Sequence, residues 1–385
     1  MKIALVCYKF PPLYSGYGKQ LKTISENILK NNNDIEFNVL TAAPDTSSTI
    51  TRMNLINLLR ENKKEQNQAR NFYVYVIKVF LWLIFNRNRY DVIHCVKAGP
   101  EAMVSTIVGK LYKKKVIIKI AQDELGTKEI ERSNIIRRIP RILRRTIIKH
   151  ADNFIAISTE IESRLKGVGI KESQIKKIPN GVDERIFFPV TVDQKKKLRK
   201  EYDIDEANIV VMFAGSICVR KGIFDLLNSI ELIKNDLNKV TFLLCGPMYE
   251  KEKEFYKQLD ELNGNNNINI IYKGEVSNTS VFMQLADIMI LPSYSEGLPN
   301  VLLEAGMSGL PLLASNIGGN VDIVQNGENG LLYEVGNVHE LTLSLIELIN
   351  NENYRKNLGK SSLMMAKNKY SVQKISNGYL KLYKN

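Results

Sequence analysis

The stretch Ile288–Ser315, IMILPSYSEGLPNVLLEAGMSGLPLLAS, holds a complete strand–helix–strand unit. Ile288–Leu291 is a short apolar run closed by turn residues, Pro299 and Asn300 offer a helix start, and Pro311–Ala314 is a second apolar run. Two strands linked through a helix read as neighbours in a parallel sheet, because a parallel pair needs a crossover of this kind.

The same alternation runs outward to both ends of the chain. Before it lie Ile209–Phe213, Val240–Cys245 and Ile268–Tyr272, and after it Gly330–Tyr333. The first half repeats the pattern at Ile3–Cys7, Phe37–Leu40, Val92–Cys95, Val116–Ile120, Phe154–Ile157 and Ile175–Ile178. A chain of 385 residues exceeds the size at which one core usually stops growing. The reading is therefore α/β, with two doubly wound Rossmann-like domains of about six strands each. The boundary falls near Asn180–Pro189, in the turn-rich PNGVDERIFFP, and the charged DQKKKLRKEYDID that follows starts the second domain's first helix. Ligands of such sheets bind beyond the carboxyl ends of the strands, which predicts an interdomain cleft as the site.

Composition is that of an ordinary globular protein, 44% apolar and 25% charged, which argues against disorder. Cys7, Cys95, Cys218 and Cys245 lie in or beside apolar runs without metal or redox spacing, and read as reduced core thiols. The first residues, MKIALVCYKFPP, are too short an apolar run for a secretion signal. Phe72–Phe85, interrupted by Lys78, is too short for a membrane span and reads as a helix packed on a sheet. His94, His150 and His339 are scattered, which predicts no bound metal.

The net charge of +13 favours an anionic partner. From Arg132 to Lys149 there are Arg132, Arg137, Arg138, Arg141, Arg144, Arg145 and Lys149, no acidic residue, and interleaved isoleucines. Two readings of this basic amphipathic segment stand side by side: a face for anionic lipid, or a solvated helix whose isoleucines pack on the sheet. Nucleic acid is the poorer option, since no binding motif or stacking-aromatic pattern accompanies the charge.

The chemistry concentrates in Glu296–Glu304. Glu296 follows a strand end, and Glu304 lies eight residues on, one turn inside the helix. Amides of Leu298, Asn300 and Val301 at the helix start favour a diphosphate. The Glu304 carboxylate suits both hydroxyls of a ribose, and Glu296 suits hydroxyls of a transferred sugar. Singly, each glutamate reads as a solvated residue; the EGLPNVLLEA context makes that the weaker account.

This segment resembles the E-x7-E signature of the family-4 (group 1) retaining glycosyltransferases. Other pieces follow in the family's order: Ser15–Gly18 as its glycine-rich loop, Asn180–Asp183 as its NGVD, Arg220–Gly222 as its phosphate-binding basic motif, and Tyr370–Tyr383 as its closing helix. Cys245–Gly246, Gly318–Gly319 and Asn329–Leu331 match weaker landmarks, so the resemblance spans nearly the whole chain.

The resemblance implies the GT-B fold, with an acceptor-binding domain at 1–180 joined by the helix 369–385, and a nucleotide-sugar domain at 181–368. It implies Lys221 and Glu296 as catalytic groups, and Gly16, Ser216, Arg220, Gly297, Leu298, Pro299, Asn300, Val301 and Glu304 as further donor contacts. A UDP-sugar is the favoured donor, with retention of configuration. The acceptor is expected to be a glycan or lipid-linked precursor of a cell-surface polysaccharide. Lys221 and Arg220 at a helix start oppose the macrodipole, a cost that favours a role on a leaving diphosphate. No obligatory cofactor follows, because Asp203–Asp205, which spells the acidic motif of metal-dependent transferases, precedes a strand and reads as a turn.

Two positions depart from the pattern. Ser216 stands where an arginine is usual, and Gln122 replaces a histidine, leaving Gln122, Asp123, Glu124 and His94 as acceptor-side candidates. Expected surroundings are the cytoplasm, with the inner face of the membrane as a docking place. The rivals are a nucleotide-sugar 2-epimerase of the same architecture, which would be expected to hold more histidines, and a non-catalytic membrane-associated partner subunit.

Overall fold

The computed structural model describes residues 1–13, 15–43, 51–59, 68–121, 135–233, 239–263 and 268–385. They divide into two compact units, Met1–Gly181 with Val372–Asn385, and Val182–Ser371.

In the first unit β1 (Lys2–Val6), β2 (Glu36–Thr41), β3 (Met53–Asn57), β4 (Val92–Val96), β5 (Lys115–Ile120), β6 (Asn153–Ala156) and β7 (Ile175–Lys177) form a parallel sheet ordered β3-β2-β1-β4-β5-β6-β7. In the second, β8 (Ile209–Ala214), β9 (Val240–Cys245), β10 (Ile268–Tyr272), β11 (Ile288–Leu291), β12 (Leu312–Ser315) and β13 (Gly330–Tyr333) follow the order β10-β9-β8-β11-β12-β13. Both are doubly wound α/β sheets, reversing direction at β1/β4 and at β8/β11, the points where such folds take their ligands. The strand β3 was not expected. Its sequence MNLIN breaks apolar alternation with asparagines, and it survives as a half-exposed edge strand whose Asn54 amide reaches Asn38 Oδ1 on β2 at 3.1 Å.

The helix predicted after the boundary is Val192–Glu201, opened by a reciprocal capping box between Thr191 and Gln194. Asp203–Asp205 forms the turn that follows it, with Asp205 Oδ1 accepting from the Ala207 amide at 2.9 Å. The last helix, Val372–Lys384, returns to the first unit, where Ile375, Tyr379, Leu382 and Tyr383 complete the core around Ile3, Leu5, Phe37 and Ile117. The helix predicted over Phe72–Phe85 spans Gln68–Phe85. It buries Tyr75, Val79 and Leu83, and the Tyr75 hydroxyl donates to Leu40 O at 2.8 Å. Tyr73, Ile77, Leu81 and Phe85 stay exposed, so packing within the first unit accounts for one side of the helix and not the other.

Candidate active site

At the β8/β11 reversal two loops meet. The loop after β8 turns through the 3₁₀ segment Val219–Lys221 into Gly222, which has φ +68°. A Cβ there would lie 1.8 Å from Pro292 O, so only glycine lets this turn lie against the end of β11. The Tyr294 amide donates to Arg220 O at 2.8 Å and joins the two loops directly. Behind them the Ser315 hydroxyl donates to Ser293 O at 2.5 Å, and Asn320 Nδ2 donates to Ser315 O at 2.9 Å. Gly319 supports the loop from the other side, since a Cβ on it would meet Gly297 O at 2.6 Å.

This framing brings Lys221 Nζ to 2.5 Å from Glu296 Oε1, with side chains only 14% and 10% exposed. Arg220, 49% exposed, donates from Nη1 to Ser295 O at 2.9 Å and stands 3.9 Å from the same carboxylate. An ion pair so far withdrawn from water is a weak source of stability, because desolvation offsets the attraction. Its physical merit is a fixed cation whose charge is held ready at the strand ends.

Leu298 and Pro299 are buried and seat the start of the helix Asn300–Met307. Its N-terminus has no side-chain cap, and Asn300 and Val301 are half-buried beside Gly297 and Glu296. Glu304 is 6% exposed, against the surface position that it reads as when taken singly. The helix is covered by Glu352–Tyr370, where a Cβ on Gly306 would come within 3.1 Å of Ser362 Oγ. Ser216 lies half-buried on the loop after β8. Thus Lys221, Arg220, Glu296 and the helix start are brought to one edge of one sheet.

In the first unit, Gly16 is the exposed first residue of the helix Gly16–Asn31, and the N-cap Ser15 hydroxyl accepts from the Gly18 amide at 3.0 Å. Gly18 leaves no room for a side chain, since a Cβ on it would meet Lys9 O at 2.1 Å. Gln122, Asp123 and Glu124 lie outside the described residues.

His94 requires a correction. It lies within β4, fully buried, with Nδ1 at 2.7 Å from the Tyr383 hydroxyl and its ring against Tyr379. The returning C-terminal helix covers it, so it is a core residue without access to an acceptor. Burial, and then the charge of Lys119, bring its pKa from 6.5 down to about 3. The unfolded chain therefore binds the extra proton first, and this residue's contribution to stability is lost as pH falls from about 6.5 towards 3. Urea titrations should show His94→Gln losing about 2–3 kcal/mol less than the parent between pH 7 and pH 4.5. Equal losses would contradict the assignment. Glu101 acts in the opposite sense and is common to both proteins.

Sequence reading missed three charged groups at the β1/β4 end of this sheet. Glu101 is buried and pushed up to about 7, chiefly by burial, and its Oε2 has no hydrogen-bond partner. Lys97, at φ +87°, places Nζ 4.6 Å over the Tyr17 ring. Lys119 is brought down to about 7 by burial and donates to Asn180 Oδ1 at 2.9 Å. The available signal was a single lysine inside the otherwise apolar run Val116–Ile120.

The chain matches two protein families, Glycosyltransferase Family 4 over residues 31–185 and Glycosyl transferases group 1 over residues 194–363. It is 30% identical, over 66% of its length, to the N,N'-diacetylbacillosaminyl-diphospho-undecaprenol alpha-1,3-N-acetylgalactosaminyltransferase of Campylobacter jejuni, and the match covers 65% of that relative. It is 29% identical, over 58% of its length, to the capsular polysaccharide biosynthesis glycosyltransferase CapM of Staphylococcus aureus, of which the match covers 59%. Among solved structures, HepE of Anabaena in complex with UDP-glucose superposes with a TM-score of 0.77 at 19% identity, covering 100% of both chains. That likeness identifies the fold as GT-B.

Proposed function

The chain belongs to the family-4, group 1 glycosyltransferases, and from that membership we propose that it transfers a sugar, with retention of configuration, from a UDP-sugar to a glycan or lipid-linked acceptor in cell-surface polysaccharide synthesis. The observation that carries this reading is the withdrawn Lys221–Glu296 pair at the β8/β11 reversal, immediately before the helix that bears Glu304.

The donor diphosphate lies against Lys221, Arg220 and the start of the helix Asn300–Met307, with Ser216 and Gly297–Val301 lining it. Glu304 accepts from the ribose hydroxyls, and Glu296 from hydroxyls of the sugar. As the sugar–phosphate bond breaks, negative charge grows on the departing oxygen and Lys221 stabilises it, so no metal is required. The departing oxygen takes the acceptor's proton on the same face, and the enzyme contributes position and electrostatics rather than a base. The first unit offers Lys97, half-buried at the β1/β4 end, as an acceptor-side polar group. The UDP preference is supported by the UDP-glucose complex of HepE, and the acceptor class by the Campylobacter relative named for a diphospho-undecaprenol-linked sugar and by CapM, named for capsular polysaccharide biosynthesis. The reaction is assigned to the cytoplasmic face of the membrane.

Thermal unfolding against UDP, GDP, ADP and CMP tests the reading, because a ligand of the folded state raises the midpoint. UDP is expected to raise it, and Glu304→Gln, which keeps the side chain's shape, to weaken UDP binding about 10–100-fold through loss of charge-assisted hydrogen bonds. Unchanged affinity in Glu304→Gln would remove the ribose from that carboxylate. No rise with any nucleotide would overturn the transferase reading.

A further inference from the structure

The helix Gln68–Phe85 exposes Tyr73 (61%), Ile77 (59%), Leu81 (43%) and Phe85 (77%), a stripe at a spacing of four residues on one side. It packs against the helix Pro100–Leu111, which exposes Ile107 and Leu111, and that helix packs in turn against Ile135–Ile148, which exposes Ile139, Ile142 and Leu143. Three adjacent helices on one side of the first unit's sheet thus turn bulky apolar side chains outward. Contiguous apolar surface of this kind marks an interaction site, whereas scattered exposed residues do not.

Charge identifies the partner. Across the three helices the only acidic residue is Glu101, which is buried. Against it stand Arg70 and Lys78 on the first helix, Lys110 on the second, where Asp152 pairs with it, and Arg141 and Arg145 on the third, while the Nε of Arg144 is buried and its charge acts on Glu101. Long basic side chains beside an apolar stripe can keep their charges at the headgroups while aliphatic and aromatic groups enter the boundary with the acyl chains. A second copy would bring this basic face against itself, and like charges would oppose the contact. Among the described residues no helix is long and apolar enough to cross a membrane, so the contact is one of lying on the bilayer.

We propose that the outward faces of helices Gln68–Phe85, Pro100–Leu111 and Ile135–Ile148 form one docking surface for an anionic lipid bilayer, with the Tyr73–Phe85 stripe as the inserting element. This extends the basic segment read from the sequence to a helix that was assigned wholly to packing. It rests on the proposed function only in that a lipid-linked acceptor gives the docking a use.

The test is sedimentation of the full-length chain with vesicles of phosphatidylcholine plus phosphatidylglycerol, and of phosphatidylcholine alone. Binding is expected to the anionic vesicles and to weaken with added salt. The variant Ile77→Glu/Leu81→Glu should bind at least about tenfold less, since two apolar side chains leave the interface and two negative charges face the lipid. Both positions are exposed, so its unfolding midpoint and its UDP-induced rise are expected to match the parent's. A variant that binds like the parent would overturn the proposal, as would a parent that binds both vesicles equally. A dimeric parent made monomeric by the variant would assign the face to a second copy and overturn it too. Failure of the donor reading shows separately, as absence of any nucleotide-induced rise.

Discussion

Lys221→Ala is expected to lower kcat by about two to three orders of magnitude, the range found when a single preorganised donor to a developing oxyanion is removed. Its ammonium is held by Glu296 at 2.5 Å and is only 14% exposed, so bulk water is a poor substitute for it. Arg220 reaches the same region but is half-exposed and committed to Ser295 O, from where it cannot replace a fixed charge at the strand ends. The substitution also strands a carboxylate that is 10% exposed, which should cost about 1–3 kcal/mol of stability. Pairing it with Glu296→Gln removes that carboxylate's charge. The double variant should regain stability, which shows that the stability loss in Lys221→Ala comes from the stranded carboxylate. Single-turnover rates with a saturating donor make the measurement. A Lys221→Ala rate within threefold of the parent would mean that the leaving diphosphate is neutralised elsewhere.

Gly222→Ala should be a severely damaging single-methyl change in the second unit. At φ +68° an alanine bears a backbone penalty of about 1–2 kcal/mol. Its Cβ would also sit 1.8 Å from Pro292 O, a contact that no rotamer relieves because both atoms belong to packed backbone. The turn must therefore leave the end of β11, taking Lys221 with it, and a total cost of at least ~3 kcal/mol is expected together with severe loss of transfer. Gly327→Ala is the control. Its φ of +80° is just as unfavourable for alanine, but nothing lies within 4 Å of the added methyl, so only the backbone penalty remains. Urea unfolding of the two variants should separate them by at least ~1–2 kcal/mol, and equal losses would show that the approach to Pro292 is not tight.

Much of this protein was legible in local sequence. The alternation of Val- and Ile-rich runs with helical segments marked twelve of the strands to within a residue or two, because burial on both faces of a parallel sheet leaves an uninterrupted apolar signature. The edge strand Met53–Asn57 escaped because an edge is half-solvated and tolerates asparagine. Motif spacing likewise selected Lys221, Glu296 and Glu304, since turn chemistry and a helix start are written within a few residues of one another.

What lies far apart in sequence was decided by the tertiary structure. Lys221 and Glu296 are 75 positions apart, and they meet because β8 and β11 are neighbours at the reversal of strand order. His94 looked like a polar group at a strand end, but helix Val372–Lys384, arriving from the far end of the chain, closes over it and turns it into core. Gln68–Phe85 looked like core, and one whole side of it remains uncovered. Periodicity and turn propensity report the local backbone and the side of an element that is apolar. Exposure depends on which distant segment comes to lie on that side, and no stretch of neighbouring residues carries that information.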